Sequence, residues 1–250
     1  MAADPLTHIA SHLLIAKSLP VSSDWLSQFL SNQRVNTTPL SALTQTALFR
    51  LLTSDFTISL SVDSTSSSSQ SPCRSLPVDI CDPAVQERRV LGPVPVQILD
   101  IDDIGSSLWS QVEAMEMIAR GEEMKGREII RTVALDDGEE LGDIGTSGGD
   151  VRGAAERATS RGSNLGPHRL VLQDAKGTKV TAIELTPVEG IGIGKTSIGA
   201  KMILNNATVA RGIILLEPAC TTLMGGKIDV LDKQWMERRK DKLLDQLDGR

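Results

Sequence analysis

The feature that most constrains the fold is a set of short β-type runs in the second part of the chain. Each run is four to eight residues long and rich in Val, Ile and Leu, which is typical of strands bounded by turns. The runs are Val94–Ile101, Arg169–Gln173, Lys179–Leu185, Lys201–Leu204 and Arg211–Leu216. Asp174 to Gly177, between the second and third runs, is typical of a hairpin connection. Five strands of this kind favour a small closed barrel, most commonly the oligonucleotide/oligosaccharide-binding (OB) fold.

The first sixty residues have a different, helical periodicity. Apolar residues from Leu6 to Leu19 recur near helical spacing until Pro20, and a second helix follows Asp24. The third is predicted to have Thr38 as its N-cap and Pro39 as its first residue, and to run toward Phe56. We therefore predict an N-terminal three-helix bundle over residues 1–60.

A serine-rich segment separates the two regions. Residues Ser61 to Ser75 include eight serines and few apolar side chains, so we expect a disordered linker over 61–77. The OB barrel is predicted over 78–229, and a charged helix over 230–250. The fold class is thus mixed α and β: a helical bundle, a five-stranded OB barrel and a C-terminal helix.

A long interruption, about residues 105–167, separates the first and second predicted strands. Its beginning, Ser110 to Arg120, is predicted to be a short helix, and Asp136 to Gly166 is rich in Gly, Asp and Ser. Between Glu113 and Pro167 there are twelve acidic and seven basic residues, so this insertion carries most of the net charge of −6. Long loops on compact domains are typically functional, which makes the insertion a candidate functional element.

Composition excludes several classes of function. A net charge of −6 and a pI near 5.2 argue against a protein that binds nucleic acid mainly by neutralising phosphates. Three cysteines without C-x-x-C spacing indicate neither a disulfide framework nor a zinc ribbon. No segment resembles a leader or a bilayer span, so we expect a soluble intracellular protein with no membrane partner.

The sequence contains no complete motif for a nucleotide, metal or catalytic site. Gly190 to Thr196 resembles a phosphate loop, but the position that needs the first glycine is Glu189, so we expect no nucleotide or other small-molecule ligand. His8 and His12 share a helical face without a third ligand, which predicts no metal and no cofactor. No catalytic residue is assigned, and the predicted strands lack the aromatic platforms of single-strand binders.

In this order the elements resemble the RecQ-mediated genome instability protein 1 family. The resemblance is carried by these pieces in sequence: Pro20 and Trp25-Leu26; Leu51 to Asp55; Asp103-Ile104; Trp109-Ser110-Gln111; Gly199 to Leu204; Gly212 to Pro218; and Leu223 to Gly226. No single piece is specific, whereas their order and the placement of the insertion are. Since the chain stops after the C-terminal helix, we expect the short, single-barrel form.

The resemblance implies a non-catalytic regulatory subunit in the nucleus, which binds topoisomerase III and works with a RecQ-family helicase and with DNA inside the complex. The insertion would modulate the DNA gate and so promote decatenation and the dissolution of double Holliday junctions. An autonomous single-stranded-DNA-binding OB protein is the alternative, and an enzyme a distant third. Tight, steeply salt-dependent DNA binding would favour the alternative.

The resemblance also assigns residues. Topoisomerase binding is expected at Lys201, Trp109, Ile104 and Leu108, and gate modulation at Glu113, Met117, Arg127, Ile129 and Arg131. From the residues alone, we would expect Lys201 to be an exposed lysine at a strand end and Trp109 to be an aromatic residue packed in a small hydrophobic cluster beside the main core. In either interpretation Lys201 is expected to be exposed, so that Lys201→Ala would leave the melting temperature unchanged.

Overall fold

The computed structural model describes residues 4–33, 38–61, 75–120 and 166–249. Its N-terminal part is a helical module of three main helices and one further turn: α1 (Pro5–Lys17), α2 (Ser23–Ser31), α3 (Leu40–Leu52) and α4 (Phe56–Ser59). Pro39, and not Thr38, is the N-cap of α3. That helix ends at Leu52, and Asp55 begins α4 separately by accepting a hydrogen bond from the Thr57 amide.

Apolar side chains at helical spacing form the core of this module. Ile9 and Leu13 of α1, Leu26 and Phe29 of α2, and Leu43, Ala47 and Leu51 of α3 are buried together with Phe56 and Leu60. The core also contains Ile203, which belongs to the sheet. The helical module is therefore stabilised partly by the domain that follows it.

Eight strands of the described ranges form one sheet. They are β1 (Glu87–Val90), β2 (Val94–Asp103), β3 (His168–Asp174), β4 (Lys179–Glu184), β5 (Lys201–Leu204), β6 (Ala207–Ala210), β7 (Ile213–Leu216) and β8 (Thr221–Gly225). The structure describes two more helices in this part: α5 (Leu108–Ala119), inside the insertion between β2 and β3, and the C-terminal α6 (Asp229–Leu247). No helix in the described ranges is long and apolar enough to cross a membrane.

The strand order is β1-β6-β7-β4-β3-β2-β5-β8, and the sheet curls into a half-barrel. Every neighbouring pair is antiparallel except β4 and β7, which are parallel. The long strand β2 pairs with β5 through its first half and with β3 through most of its length. The predicted class, a helical bundle followed by an OB fold and a C-terminal helix, is confirmed.

The number of strands differs from the five expected. β1 is charged, β6 consists of small residues and β8 lies at a sheet edge, so none has the apolar run that marks a buried strand. The predicted run Arg211–Leu216 is shorter in the structure, because Arg211 and Gly212 both have positive φ and form the turn between β6 and β7.

Side chains at alternate positions of β5 enter two different cores, while the apolar side chains of β2 enter one. Val96 and Ile98 of β2, with Met202 and Leu204 of β5, enter the core of the sheet domain. Ile203 points to the opposite face and enters the core of the helical module. The helical module therefore covers the outer face of β5.

A close backbone approach joins the two domains at Gly226, which follows β8. Its φ is +86°, and a Cβ there would lie 2.4 Å from the carbonyl oxygen of Leu52 at the end of α3. A side chain cannot fit without moving one backbone away from the other. Glycine at this position allows the helical module to dock directly on the sheet.

Candidate functional site

The insertion leaves the sheet at Asp103, whose carboxylate forms a tight turn. Its Oδ1 accepts hydrogen bonds from the backbone amides of Gly105, at 2.8 Å, and Ser106, at 3.1 Å. Burial alone would raise the pKa of Asp103, but these bonds and the nearby His168 outweigh it and hold the pKa below its usual value. The carboxylate therefore stays ionised and fixes the exit of the chain.

The two ends of the insertion are in contact. The amide of Ile104 donates to the carbonyl of Pro167 at 3.1 Å. Gly105 and Gly166 meet so closely that a Cβ on Gly105 would lie 2.7 Å from the Cα of Gly166. The insertion thus starts and ends at one point, and its root is part of the sheet.

Helix α5 rises directly from this root. Ser107 is its N-cap and accepts from the Ser110 amide, while the side-chain amide of Gln111 donates to the carbonyls of Asp103 and Ser106. Gln111 is buried, as is Val112 on the same side of the helix. These contacts fix α5 on the turn that precedes it.

The opposite side of α5 is exposed and carries both apolar and charged side chains, among them Trp109, Met117 and Glu113. Trp109, Glu113 and Met117 are spaced four residues apart, which places them in one stripe. Trp109 is 68% exposed, while Leu108 is half-buried. We call the following residues the root surface: Ile104, Leu108, Trp109, Glu113, Met117 and Ile118. A tryptophan held this far into solvent on a fixed helix is typical of a partner-binding site.

Ion pairs join helix α6 to α5 and to β2. Lys240 of α6 lies 3.0 Å from Glu116 of α5. Lys242 contacts Asp100 and Asp102 of β2, each at 2.6 Å, and the pKa of Lys242 is raised because these two carboxylates outweigh the effect of its burial.

Asp102 shows the complementary shift. Burial raises its pKa, but hydrogen bonds from Lys242 and Arg169 more than offset that effect, and the net pKa is lowered. Trp235 adds a hydrogen bond from Nε1 to Asp100 Oδ1 at 2.7 Å. The root is thus attached to β2 and to α6.

A buried pair lies under the re-entry point of the insertion. Nδ1 of His168 is 2.5 Å from Oε2 of Glu184, and the same carboxylate oxygen accepts from the His168 amide at 3.0 Å. Oε1 accepts from the Val188 amide. Neither residue stands out in the sequence as a pair, because they are adjacent only across the ladder between β3 and β4.

Lys201 is buried, whereas the sequence predicted an exposed side chain. The side chain is fully buried, with Nζ 2.9 Å from Gln97 Oε1 and 4.6 Å from the centre of the Phe56 ring. The expectation of an exposed strand-end lysine is wrong, because the helical module covers this face of β5. Lys201 therefore holds the two domains together and presents no amine to a partner.

The remaining predicted residues divide into two groups. Trp109, Glu113 and Met117 lie in one exposed stripe of α5, while Ile104 precedes the helix and Leu108 is half-buried at its first position. Arg127, Ile129 and Arg131 lie outside the described residues. So do most of the charged positions of the insertion and most of the serine-rich segment. The interpretation of Trp109 as a core aromatic is wrong, since its side chain is mostly in solvent.

The glycine-rich segment Gly190 to Thr196 connects β4 to β5. The hydroxyl of Thr196 accepts from the Gly192 amide at 3.0 Å and donates to the Gly190 carbonyl at 2.7 Å. That hydroxyl is consumed within its own loop. Among the residues that the structure describes, no group of three His, Cys, Asp or Glu side chains is placed to hold a metal ion.

These features define a class: an OB-fold protein with an N-terminal helical domain and an insertion that projects from a fixed root. Residues 76–239 match the family described as "RMI1, N-terminal OB-fold domain", and residues 14–59 match "RMI1, N-terminal helical domain". The chain belongs to the RecQ-mediated genome instability protein 1 family.

One curated relative comes from the fission yeast Schizosaccharomyces pombe and is named RecQ-mediated genome instability protein 1. It is 32% identical over 162 residues, which cover 64% of this chain and 66% of the relative. The match thus spans just under two thirds of the relative's own length.

Proposed function

We propose that this chain is a non-catalytic subunit that binds topoisomerase III through the root surface. The observation that carries the proposal is Trp109, which is 68% exposed on a helix fixed at its base by Gln111 and Ser107. Large aromatic side chains on rigid supports are the residues that most often dominate binding energy at protein interfaces. Their exposure in an isolated chain indicates a partner that covers them.

The identity of the partner rests on family membership. The name of the yeast relative connects that protein with a RecQ helicase. We extend this connection to the present chain, and the sequence resemblance adds topoisomerase III as the direct partner. The complex would act in the nucleus, on DNA that the topoisomerase itself holds.

The insertion is the second part of the proposal. Its two ends meet at Ile104 and Pro167, so it can extend into a partner without disturbing the sheet. We propose that it enters or borders the DNA gate of the topoisomerase and slows gate closure. Slower closure favours strand passage, which promotes decatenation and the dissolution of double Holliday junctions with the helicase.

An autonomous single-strand-binding function has less support. None of the eight described strands contains an aromatic residue, so the sheet has no platform on which bases could stack. Trp109 is exposed on a helix instead, and Glu113 in the same stripe would repel phosphate. These features favour a protein partner over nucleic acid at the root surface.

Co-purification with topoisomerase III tests the proposal, with Trp109→Ala as the diagnostic variant. Losing a central aromatic anchor should cost more than about 2 kcal/mol of binding free energy, or roughly thirtyfold in Kd. Phe49→Ala is the matched control, because Phe49 is an aromatic residue of similar exposure, 65%, on the helical module. Both variants should keep the melting temperature of the parent.

Two results would contradict the proposal. One is failure of the intact chain to bind topoisomerase III at micromolar concentration. The other is a Trp109→Ala variant that melts lower and binds normally, because Trp109 would then serve folding and not an interface.

A further inference from the structure

One end of the sheet gathers several strand termini beside the root. β2 ends there at Asp103 and β3 begins at His168, while β4 and the parallel β7 end there at Glu184 and Leu216. β6 begins at the same end, opposite the end of β1. We call this the insertion end of the sheet, because the insertion leaves and returns there.

Exposed apolar side chains continue along the insertion end beyond the root surface. Leu185, directly after β4, is 59% exposed, and Leu91, directly after β1, is 53% exposed. Pro167 accepts a hydrogen bond from the Ile104 amide on one side and directly precedes β3, where extension of the β3–β4 register places it next to Leu185 on the other. Adjacent strands are about 4.8 Å apart, so Leu185 lies roughly 10 Å from Ile104.

A groove opens next to Leu185. Its volume is about 410 Å³, and it extends across β7 and β6 to β1. Its apolar lining includes Leu185, Leu215 and Ala219, and its polar lining includes Asn205, Arg89 and Glu217. In the described part of the chain, the side chains of these three polar residues make no hydrogen bond or ion pair, so they are available to a ligand.

We propose that this groove is a second contact for the subunit that sits on the root surface, and that it takes an extended polypeptide segment of topoisomerase III. The inference rests on the proposed function. It adds a docking site that is separate from the insertion and lies on the opposite side of Pro167 from Ile104.

Geometry favours one partner for both sites. The insertion leaves and re-enters the sheet between Asp103 and His168, so a protein that covers the root also faces the insertion end. The root surface comprises six residues, whereas a stable interface uses roughly 20 to 30 residues on each side. A partner on the root surface therefore has to extend along the sheet end, and the groove beside Leu185 is directly next to it.

The chemistry of the groove favours a polypeptide over nucleic acid. A primary amide such as that of Asn205 can both donate to and accept from a peptide backbone. Arg89 and Glu217 offer opposite charges that a peptide with mixed charges can pair with. Phosphates along a nucleic-acid strand would meet the Glu217 carboxylate, which repels them, and none of the described residues that line the groove is aromatic.

The test compares three variants of the full chain in calorimetric titrations with topoisomerase III. Leu185→Ser combined with Asn205→Ala alters the groove and leaves the root surface intact. Val78→Ser is the control, because Val78 is 92% exposed and precedes Cys81, whose thiol contacts Lys179 at the other end of β4. Trp109→Ala reports on the root surface separately. Binding of a single-stranded oligonucleotide by each variant is measured in parallel by fluorescence anisotropy.

We expect the groove variant to raise Kd for topoisomerase III about tenfold, the cost of one apolar contact of leucine size. Val78→Ser should change it by less than about twofold. If Trp109→Ala weakens binding and the groove variant does not, the groove proposal is wrong while the proposed function stands. If the parent chain does not bind topoisomerase III, both are wrong. A groove variant that loses only oligonucleotide affinity would make the groove a nucleic-acid site and overturn the proposal.

Discussion

Nζ of Lys201 lies 2.9 Å from Oε1 of Gln97, and the two side chains join β5 to β2 beneath the helical module. The same oxygen accepts from the Phe56 amide at 3.0 Å, while Nε2 of Gln97 donates to Asp55 and Gln173. All the hydrogen-bonding groups of the Gln97 side chain are therefore engaged. This buried polar junction connects the helical module to the sheet.

The junction predicts a pH-dependent stability. Burial lowers the pKa of Lys201 from 10.5 to about 7, although Asp55 opposes the shift. Between pH 7 and 10.5 the unfolded chain holds a proton that the folded protein has released, so stability rises with pH in this window. From pH 7 to 9 we expect a gain of about 2 kcal/mol from this residue.

The measurement is urea denaturation of the parent and of Lys201→Met at pH 7 and 9. The methionine variant fills similar space without an amine, so its stability should change less over this range. Equal pH dependence of the two proteins would show that the amine is not the source. Lys201→Ala should lower the melting temperature, because it leaves a cavity in the junction.

A second prediction concerns the contact between Gly226 and Leu52. Gly226→Ala adds a Cβ 2.4 Å from a carbonyl oxygen at a residue with φ of +86°, so we expect a loss of more than about 2 kcal/mol. Gly225→Ala is the matched control, because its φ of +78° is similar and a Cβ there meets no atom within 4 Å. That variant should lose only about 1 kcal/mol. Similar losses for both variants, measured by urea denaturation, would mean that docking tolerates the added methyl group.

A third prediction concerns the buried pair beneath the root. Glu184→Gln removes the charge that faces Nδ1 of His168 and replaces one carboxylate oxygen with a donor, which cannot accept from the backbone amides. We expect a destabilisation of about 2 to 3 kcal/mol. Glu189→Gln makes the same change five residues later at an exposed position and should be neutral within about 0.5 kcal/mol. Thermal and urea unfolding of both variants would measure the difference, and a neutral Glu184→Gln would show that the pair contributes little.

A fourth prediction concerns the insertion itself. Replacing residues 122–165 with a short Gly/Ser linker keeps α5 and the contact between Ile104 and Pro167. Loop length changes closure entropy by only about 0.6 kcal/mol per doubling, so the sheet should stay folded and binding should remain largely intact.

Decatenation by the reconstituted complex should then fall much more than complex formation, which a parallel pull-down measures. Equal decatenation activity with and without the insertion would show that the insertion does not modulate the gate, and that the chain serves only as a scaffold of the complex. Neutralising the acidic residues of the insertion distinguishes two mechanisms. Decatenation should fall if the insertion competes with DNA for basic residues of the gate, and it should be unchanged if the insertion holds the gate open only by its bulk.

The helices and the longer strands could be predicted because each shows its period in the sequence. The burial of Lys201 could not be predicted from its charge and its position at the start of a strand. The run Met202-Ile203-Leu204 does contain a signal, since three successive apolar residues indicate a strand that is buried on both faces. Lys201 shares a face with Ile203, so that run already indicated a covered lysine.

The root surface was predictable in part for a different reason. Trp109 and Met117 are local neighbours on one helix, and their spacing is visible in the sequence. The groove beside Leu185 was not predictable, because it depends on the parallel pairing of β4 with β7 and on two strands that lack an apolar run. Register across a sheet brings such residues together, and a single sequence does not contain it.

The meeting of Gly105 with Gly166 has a mechanical consequence. A partner that grips the insertion and pulls it away from the sheet loads β2 and β3 together, along their own axes. The two strands can move only by sliding past β5 on one side and β4 on the other, so all the hydrogen bonds of both ladders resist at once. A pulling force therefore loads the hydrogen bonds of the two ladders in shear, all together, and does not break them one after another. Force exerted during a conformational cycle of the partner is spread across the sheet.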